Sequence, residues 1–321
     1  MTATNQASVS PSSDEYLATL KKAQRLEWLS IGSVVLIVTM VGLTAGQSQA
    51  MRAAWIEDAL AAVPPIVFLI ATRIARRKPV DAYPYGFYRS YGIAHLISGF
   101  TLFTLGLMLL YNSASSLLKA EKPPIGLTVL FGYPVWSGWL MIAAMVLSVI
   151  PPFFLGRAKM KLARTLHDKV LYFDADMNKA DWKTGLGTVI GVLGIGLGFW
   201  WMDAAVAGFI ALSVVKDGYV NVKGAVTDLM DARVTTFDDK VPELLDRLEQ
   251  LVAQTPWVVE SESRVRDQGH KFHRETFVVP VDGITPSLSE LTALHDDIQH
   301  LDWKLDDVVV TPVPQLPQHL D

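Results

Sequence analysis

The chain has 321 residues, of which 50% are hydrophobic and 19% are charged, and its mean hydropathy is +0.29. Ordinary soluble domains carry roughly 25% charged residues, so this composition excludes a disordered chain and argues against a plain soluble enzyme. Cysteine is absent, which excludes disulfide frameworks, thiolate metal sites and cysteine nucleophiles.

The distribution of charge divides the chain into two unlike parts. Residues 1–230 carry 20 Lys and Arg against 14 Asp and Glu, whereas residues 231–321 carry 8 against 18. The net charges are therefore +6 and −10, and an acidic tail argues against nucleic acid as a partner. We expect an N-terminal cytoplasmic tail at 1–23, a transmembrane domain at 24–230 and a cytoplasmic domain at 231–321.

Six uncharged apolar runs lie in the first part of the chain. Several of them reach the roughly 20 residues that span a lipid bilayer as a helix, and the shorter ones reach this length with a few flanking charges. We therefore predict six transmembrane helices. No cleavable signal peptide is expected, because residues 1–13 are polar and the first run is too long for an h-region. The runs are Leu29–Gly46, Ala59–Thr72, Ser90–Leu118, Pro123–Gly156, Thr184–Met202 and Ala204–Val215.

Lys and Arg residues cluster in two of the connections between these runs. The second-to-third connection holds Arg73, Arg76, Arg77, Lys78 and Arg89, and the fourth-to-fifth holds Arg157, Lys159, Lys161, Arg164 and Lys169. The opposite loops hold only Arg52, Lys119 and Lys122. Positive charge marks the cytoplasmic side of a membrane protein, so we expect both termini in the cytoplasm and a location in the inner (cytoplasmic) membrane.

Two proline pairs fall within predicted helices, Pro64–Pro65 in the second and Pro151–Pro152 in the fourth. Each pair removes backbone N–H donors, so we expect a kink at both places. Such breaks are tolerated in a membrane where neighbouring groups or a cavity satisfy the freed backbone. A kink that serves packing alone is the alternative.

After Asp231 the pattern becomes that of a compact soluble domain. Its elements are predicted as a helix at Val241–Val252, strands at Trp257–Val265 and Phe272–Val281, a helix at Ser287–Leu301 and a strand at Val308–Val313. Ser287 is a suitable N-cap, with Glu290 three residues later as its capping-box partner. The predicted fold class is thus an α-helical membrane protein of six transmembrane helices with a small C-terminal cytoplasmic αββαβ domain.

Three segments resemble motifs of the cation diffusion facilitator family. They are Tyr83-Pro84-Tyr85-Gly86-Phe87-Tyr88-Arg89, Trp200-Trp201-Met202-Asp203 and the stretch from Asp174 to Asp181, where the family carries Asp-x-x-His-x-x-x-Asp. The resemblance covers roughly residues 25–313 and includes the αββαβ tail. It implies an exporter of divalent metal cations that exchanges them for protons, and a homodimer held partly by the tail domain.

The chain departs from the family pattern at several metal-site positions. Glu57 is followed four residues later by Ala61, where the family usually carries Asp, and Met177 occupies the usual His position. Tyr83 and Phe87 stand in the loop where His is frequent. The quartet of ligands typical of zinc in this family is therefore incomplete.

Carboxylates within membrane helices are the strongest functional candidates, because they are costly to insert and usually face a partner or a wet cavity. Glu57 and Asp58 lie in the second predicted helix. In the fifth helix Asp174, Asn178 and Asp181 project from one face at about 100° per residue. Together with Glu57 or Asp58 they form a predicted oxygen-rich metal site, suited to Mg²⁺, Mn²⁺ or Fe²⁺ rather than to Zn²⁺.

For Asp174 and the histidines, a structural interpretation stands beside the functional one. Instead of binding metal, Asp174 could be solvated near the cytoplasmic end of the helix or form an ion pair with Lys169 or Lys179. His167 continues the face of Asp174 and is either an entry ligand or a solvated loop residue. His95 is either a proton relay or a structural, hydrogen-bonded side chain.

His270 and His273 flank the predicted hairpin of the tail. Acidic neighbours make a regulatory metal site one interpretation of this pair. Their spacing along a strand places them on opposite faces, which argues against it.

Two classes of function remain open. The first is a secondary transporter that exports a divalent cation such as Mn²⁺, Fe²⁺ or Mg²⁺ from the cytoplasm in exchange for protons. The second is a membrane-anchored metal-binding or sensing protein that keeps the fold and has lost transport, as Ala61 and Met177 suggest. An enzyme is not expected, because no nucleophile–base pair or cofactor motif appears. No cofactor is expected besides the transported ion, and the sequence does not name that ion.

Overall fold

A computed structural model describes residues 13–121, 125–130, 132–166, 168–236 and 241–317. Within these ranges, the side chains at 13–15, 130, 179–181, 183 and 306 lie outside the description. The chain divides into two compact units. One is formed by Lys21–Val226, and the other by Thr227–Asp321 together with Met1–Leu20.

The larger unit is helical. Its helices, numbered along the chain, are α1 (Ser13–Thr44), α2 (Gln49–Leu60), α3 (Val63–Ala75), α4 (Ser90–Leu118), α5 (Ser137–Ser148), α6 (Ile150–Leu166), α7 (Lys169–Gly196) and α8 (Met202–Leu229). Among the described residues, five stretches are long and apolar enough to cross a membrane: Tyr16–Thr44, Gln49–Ala75, Ser90–Leu118, Ser137–Leu166 and Met202–Leu229. The described part of α7 contains a shorter apolar stretch, Thr184–Gly196. The predicted helical membrane fold is confirmed.

Both proline pairs break the helix in which they lie. The second span consists of α2 and α3, and Pro64 and Pro65 occupy the first turn of α3, where their missing N–H groups would have no intrahelical acceptor in any case. The fourth span is divided at Val149 into α5 and α6. At both places the backbone stays right-handed helical, at Ala61, Ala62 and Val149, so the regular helix is interrupted over only one or two residues within a continuous span.

The run Pro123–Gly156, predicted as one helix, is helical only in its later part. Before α5 the chain forms a hairpin of β1 (Leu127–Leu130) and β2 (Tyr133–Trp136), in which Leu127 pairs with Trp136. Gly132 has φ = +87° in the connection, a conformation that favours glycine. An apolar run without periodicity does not distinguish a strand from a helix, which explains the error.

Close approach between α4 and α8 depends on glycines. A Cβ atom at Gly106 would lie 2.8 Å from the backbone nitrogen of Val215, and one at Gly218 would overlap the backbone of Phe103. Small residues at such crossings allow helix backbones to pack closely in membranes. The contact places α8 firmly against α4.

The smaller unit contains the predicted αββαβ order. Helix α9 (Glu243–Ala253) is followed by β3 (Val258–Asp267), β4 (Phe272–Pro280), α10 (Leu288–Leu301) and β5 (Leu305–Pro312). In the sheet, β3 and β4 are antiparallel, and β4 and β5 are parallel. The buried core includes Leu248, Val252, Phe272, Ile298 and Leu305. Strand β5 begins at Leu305, three residues before the predicted start.

The beginning of α1 packs within this smaller unit. The Tyr16 hydroxyl lies 2.8 Å from Nδ1 of His270, and the Tyr16 ring lies 4.6 Å from that of Trp303. Helix α1 covers Ser13–Thr44, so residues 13–28, which precede the first apolar run, are helical.

Candidate cation site

A small cavity opens between α1, α2, α6 and α7 of the membrane unit. Residues of α1 and α7 supply most of its polar surface. Its lining comprises Ser30, Ser33, Val34, Ile37, Asp58, Ala61, Pro152, Asp174 and Asn178. Three predicted site residues, Asp58, Asp174 and Asn178, thus meet in one place.

Polar atoms in this cavity are buried without hydrogen-bond partners. Among the described residues, none pairs with Asp58 Oδ2, Asn178 Nδ2 or the Ser30 hydroxyl. Buried polar groups in folded proteins are almost always paired with protein, water or an ion. The cavity therefore combines apolar walls with a few buried polar groups that a small polar ligand would satisfy.

Asp174 lies beside a buried ammonium group. Lys159 Nζ contacts Asp174 Oδ2 and lies 2.9 Å from Glu27 Oε2. Glu27 and Lys159 have no exposed surface, and Asp174 is 3% exposed. Asp174 is thus neither solvated nor paired with Lys169, and its described partner is Lys159 on α6.

Glu57 faces away from the cavity. Its Oε1 accepts a hydrogen bond of 3.3 Å from the Thr184 hydroxyl of α7, while Oε2 is buried with no partner in the described part of the chain. Consecutive helical residues project about 100° apart, which separates Glu57 from Asp58. Asp181 lies in α7, one turn after Asn178, and its side chain lies outside the description.

Ala61 and Met177, which depart from the family motif, lie in different surroundings. Ala61 is the C-cap of α2 and lines the cavity, where a methyl group leaves space. Met177 packs with an apolar cluster that includes Leu102, Ile210 and Val214. Its thioether therefore belongs to the packing of α7 against α4 and α8.

Asp203 at the start of α8 binds the start of α2. Its carboxylate accepts hydrogen bonds from the Ser48 hydroxyl at 2.7 Å, the Gln49 N–H at 2.5 Å and the Ala50 N–H at 3.2 Å. Asp203 has no exposed surface. A carboxylate at a helix N-terminus satisfies orphan N–H groups and complements the helix dipole. Asp203 therefore orients the helix that carries Asp58.

No histidine that the structure describes is among the residues that line the cavity. His95 Nε2 lies 2.9 Å from Asn221 Oδ1 of α8, and His270 contacts Tyr16. In the tail unit, Nδ1 of His273 lies 2.6 Å from Asp307 and its Nε2 lies 3.2 Å from Glu275. His167 falls outside the described residues.

The described side chains contain no group of three or more His, Asp or Glu residues arranged to hold a metal ion. Asp58 and Asp174 supply two carboxylates to the cavity, and the remaining polar groups are the Asn178 amide and the hydroxyls of Ser30 and Ser33. The described oxygen atoms that could bind a cation in this cavity therefore belong to two carboxylates, one amide and two hydroxyls.

Sequence reasoning missed Glu27 and Lys159, the two most deeply buried charges near the cavity. Lys159 was assigned to a cytoplasmic loop, but it lies within α6. The sequence did contain an indication that Lys159 is buried. Lys159 lies on the same face of α6, at i, i+3, i+4 spacing, as the buried residues Leu155, Gly156 and Ala163. A lysine on such a stripe predicts a buried partner.

Comparisons with known proteins identify the family of this chain. A family model described as the cation efflux transmembrane domain matches residues 28–230. The manganese efflux system protein MneS of Bacillus subtilis (strain 168) is 26% identical over 215 residues, which cover 66% of this chain and 70% of that protein. The uncharacterized transporter YdbO of the same organism is 24% identical over 215 residues, with the same shares covered. This chain is an integral membrane protein and belongs to the cation diffusion facilitator family of metal cation efflux transporters.

Proposed function

We propose that this chain exports a divalent metal cation, first of all Mn²⁺, from the cytoplasm in exchange for protons. The observation that carries the proposal is the cavity between α1, α2, α6 and α7, in which the buried carboxylate oxygen Asp58 Oδ2 lacks a partner among the described residues. A buried carboxylate is costly without a compensating charge. A cation in the cavity supplies that charge.

The donor atoms favour a hard or borderline cation. Carboxylate, amide and hydroxyl oxygens suit Mg²⁺ and Mn²⁺, whereas Zn²⁺ sites are usually built from His and Cys. Cysteine is absent from the chain. One relative is named a manganese efflux system protein, which makes Mn²⁺ the first ion to test. Of the two acids on α2, Asp58 is the proposed ligand, because Glu57 does not line the cavity; Asp181 remains a proposed ligand from the sequence.

The helix breaks support a transport role for the cavity. Ala61, at the end of α2, and Pro152, in the first turn of α6, both line it. Substrate sites of secondary transporters are frequently formed where membrane helices are discontinuous. A weakened hydrogen-bond ladder lets each span bend at its break, and such bending can open the cavity to one side of the membrane at a time.

Exchange for protons follows from the chemistry of the same carboxylates. A buried carboxylate that loses its metal ion is left with an uncompensated charge, and taking up a proton removes this cost. Asp58 is suited to this exchange, since its Oδ2 has no protein partner in the described part of the chain. Metal arrival then releases protons, and proton arrival on the outer side releases metal.

Transport of Mn²⁺ into proteoliposomes tests the proposal, with internal pH followed at the same time. Asp58→Asn keeps the shape of the side chain and removes one ligand charge. Loss of an interaction with a charged group costs on the order of 3 kcal/mol, which lowers cation affinity by about a hundredfold. We therefore expect Asp58→Asn to abolish transport at micromolar Mn²⁺.

Asp176→Asn is the matched control, because Asp176 is exposed on α7 and lies about 200° around the helix from Asp174. Transport by Asp58→Asn at the wild-type rate would contradict the proposed site. Movement of Mn²⁺ without counterflow of protons would contradict the exchange alone. Binding of Mn²⁺ with no transport would favour the sensing protein instead.

Orientation and assembly complete the proposal: both termini in the cytoplasm, and two copies joined through the tail unit. The Lys and Arg asymmetry supports the orientation. Labelling tests it at two exposed loop positions: Gln47→Cys should react from outside, and Asp81→Cys should not. Labelling of both positions from outside would contradict this orientation.

The dimer rests on the family resemblance. A strict monomer in sedimentation of the full chain, with and without Mn²⁺, would argue against the dimer.

A further inference from the structure

Lys159 is the most unusual charge in the membrane unit. It has no exposed surface, and its ammonium group lies between the carboxylates of Glu27 and Asp174. Taking a lysine and two carboxylates out of water is costly, and the hydrophobic alternative is usually at least as stable. A purely structural role therefore does not account for this cluster.

The cluster shares a residue with the cation cavity. Asp174 lines the cavity and also contacts Lys159, while Glu27 contacts Lys159 from α1. Glu27 Oε1 is buried without a partner among the described residues, as is the hydroxyl of Ser30, one turn later on α1. The ammonium group thus stands next to the space proposed for the transported cation.

We propose that Lys159 is an internal counter-cation that competes with the transported metal ion for Asp174. This inference rests on the proposed function. When the cavity holds no metal ion, the ammonium group compensates the charge of Asp174. When a divalent cation binds Asp174, the ammonium group shifts toward Glu27, and repulsion between the two cations weakens metal binding.

The geometry allows this shift. A lysine ammonium group is a compact charge on a flexible four-carbon stem, and Glu27 Oε2 already lies 2.9 Å from it. Glu27 therefore retains Lys159 whichever ion occupies Asp174. Competition of this kind keeps the site from binding metal too tightly for release, which a transporter requires.

Mn²⁺ affinity of the purified full chain tests the inference, measured from the electron paramagnetic resonance signal of free Mn²⁺. Lys159→Met removes the competing charge with little change in shape, so we expect affinity to rise by about tenfold or more. In proteoliposomes the same variant should show a lower KM and a lower kcat. Lys159→Arg keeps the charge and should keep affinity near that of wild type.

Lys161→Met is the control, because Lys161 is exposed two residues later on the same helix; it should match wild type. Lys159→Met also leaves Glu27 without its partner. If this variant does not fold, Glu27→Gln combined with Lys159→Met keeps the net charge of the cluster and should also bind Mn²⁺ more tightly.

The outcomes separate this inference from the proposed function. Wild-type affinity in a folded Lys159→Met protein, or in the double variant, overturns the competition while Mn²⁺ export by wild type stands. Weaker binding also overturns it and makes Lys159 a residue that positions Asp174. If wild type neither binds nor transports Mn²⁺, the proposed function fails, and the competition fails with it.

Discussion

Asp203 offers a direct test of how the membrane unit holds its site in place. Its carboxylate accepts three hydrogen bonds from the start of α2, from Ser48, Gln49 and Ala50. Asp58 lies on the same helix, less than three turns further on. Replacing Asp203 by Asn retains the shape of the side chain and changes only its charge and hydrogen-bonding capacity.

The expected cost follows from the three contacts. Oδ1 of Asp203 accepts from the Ser48 hydroxyl and the Ala50 N–H, and Oδ2 accepts from the Gln49 N–H. An amide has one oxygen in place of two, so at least one donor faces an NH₂ group. A hydrogen bond to a charged group contributes about 1.5–3 kcal/mol, and the charge adds up to about 1 kcal/mol with the helix dipole. We expect Asp203→Asn to lower the free energy of unfolding by about 3 kcal/mol.

Unfolding of the purified chain in mixed micelles of increasing SDS content measures this cost, followed by circular dichroism. Asp176→Asn makes the same chemical change at an exposed position of α7 and should alter stability by less than about 0.5 kcal/mol. Ser48→Ala removes one of the three contacts and also the N-cap hydrogen bond that the Ser48 hydroxyl accepts from the Met51 N–H, and should cost about 1–2 kcal/mol. A loss below about 1 kcal/mol for Asp203→Asn would refute the assigned role.

Two further predictions concern packing in each unit. Gly218→Ala should destabilise the membrane unit by about 1–3 kcal/mol, because the added methyl group would overlap the backbone of Phe103. Gly224→Ala should be tolerated, because the nearest contact of its added methyl group is 3.8 Å away. SDS unfolding of both variants measures the difference. Burial lowers the pKa of Arg274 to about 10, against a smaller opposite effect of Glu249, so the folded state holds this proton less tightly than the unfolded state and the charge opposes folding at neutral pH. Arg274→Met should therefore raise the free energy of unfolding by on the order of 2 kcal/mol. Thermal unfolding of the tail unit at pH 7 measures this change, and a variant less stable than wild type would contradict the prediction.

The tail domain was the part of the fold best predicted from the sequence. The Ser287 hydroxyl accepts from the Glu290 N–H, and the Glu290 carboxylate accepts from the Ser287 N–H, so the predicted capping box is present in full. Such signals depend on residues three apart in the chain. Periodicity in α9 and in the strands is equally local, which is why the αββαβ order could be predicted without tertiary information.

The interruptions of the membrane helices could be predicted only in part. Proline pairs identify where a helix is weakened, and both breaks occur there. Whether a helix bends or ends depends on the neighbours that accept the freed backbone groups, which a single sequence does not show. The β1–β2 hairpin was missed for a related reason, because its residues are as apolar as the helix that follows.

Sequence analysis predicted the carboxylates of the candidate site but not its lysine. Helical spacing correctly placed Asp174 and Asn178 on one face, and both line the cavity with Asp58. Spacing within α2 does not show which of Glu57 and Asp58 points inward. Lys159 and Glu27 meet across 132 residues of sequence, so their pairing is a tertiary contact that local patterns do not contain.

Charge around the cavity gives a physical reason for a divalent cargo. Asp58 and Asp174 line the cavity, and Glu27 and Lys159 adjoin it through Asp174. With three carboxylates ionised and one ammonium group charged, these described side chains carry two net negative charges. A monovalent cation would leave one of these charges uncompensated in a low-dielectric site, which is costly, and a divalent cation neutralises both. Two protons carry the same charge, so the proposed exchange of one divalent cation for two protons would leave the charge of these side chains balanced.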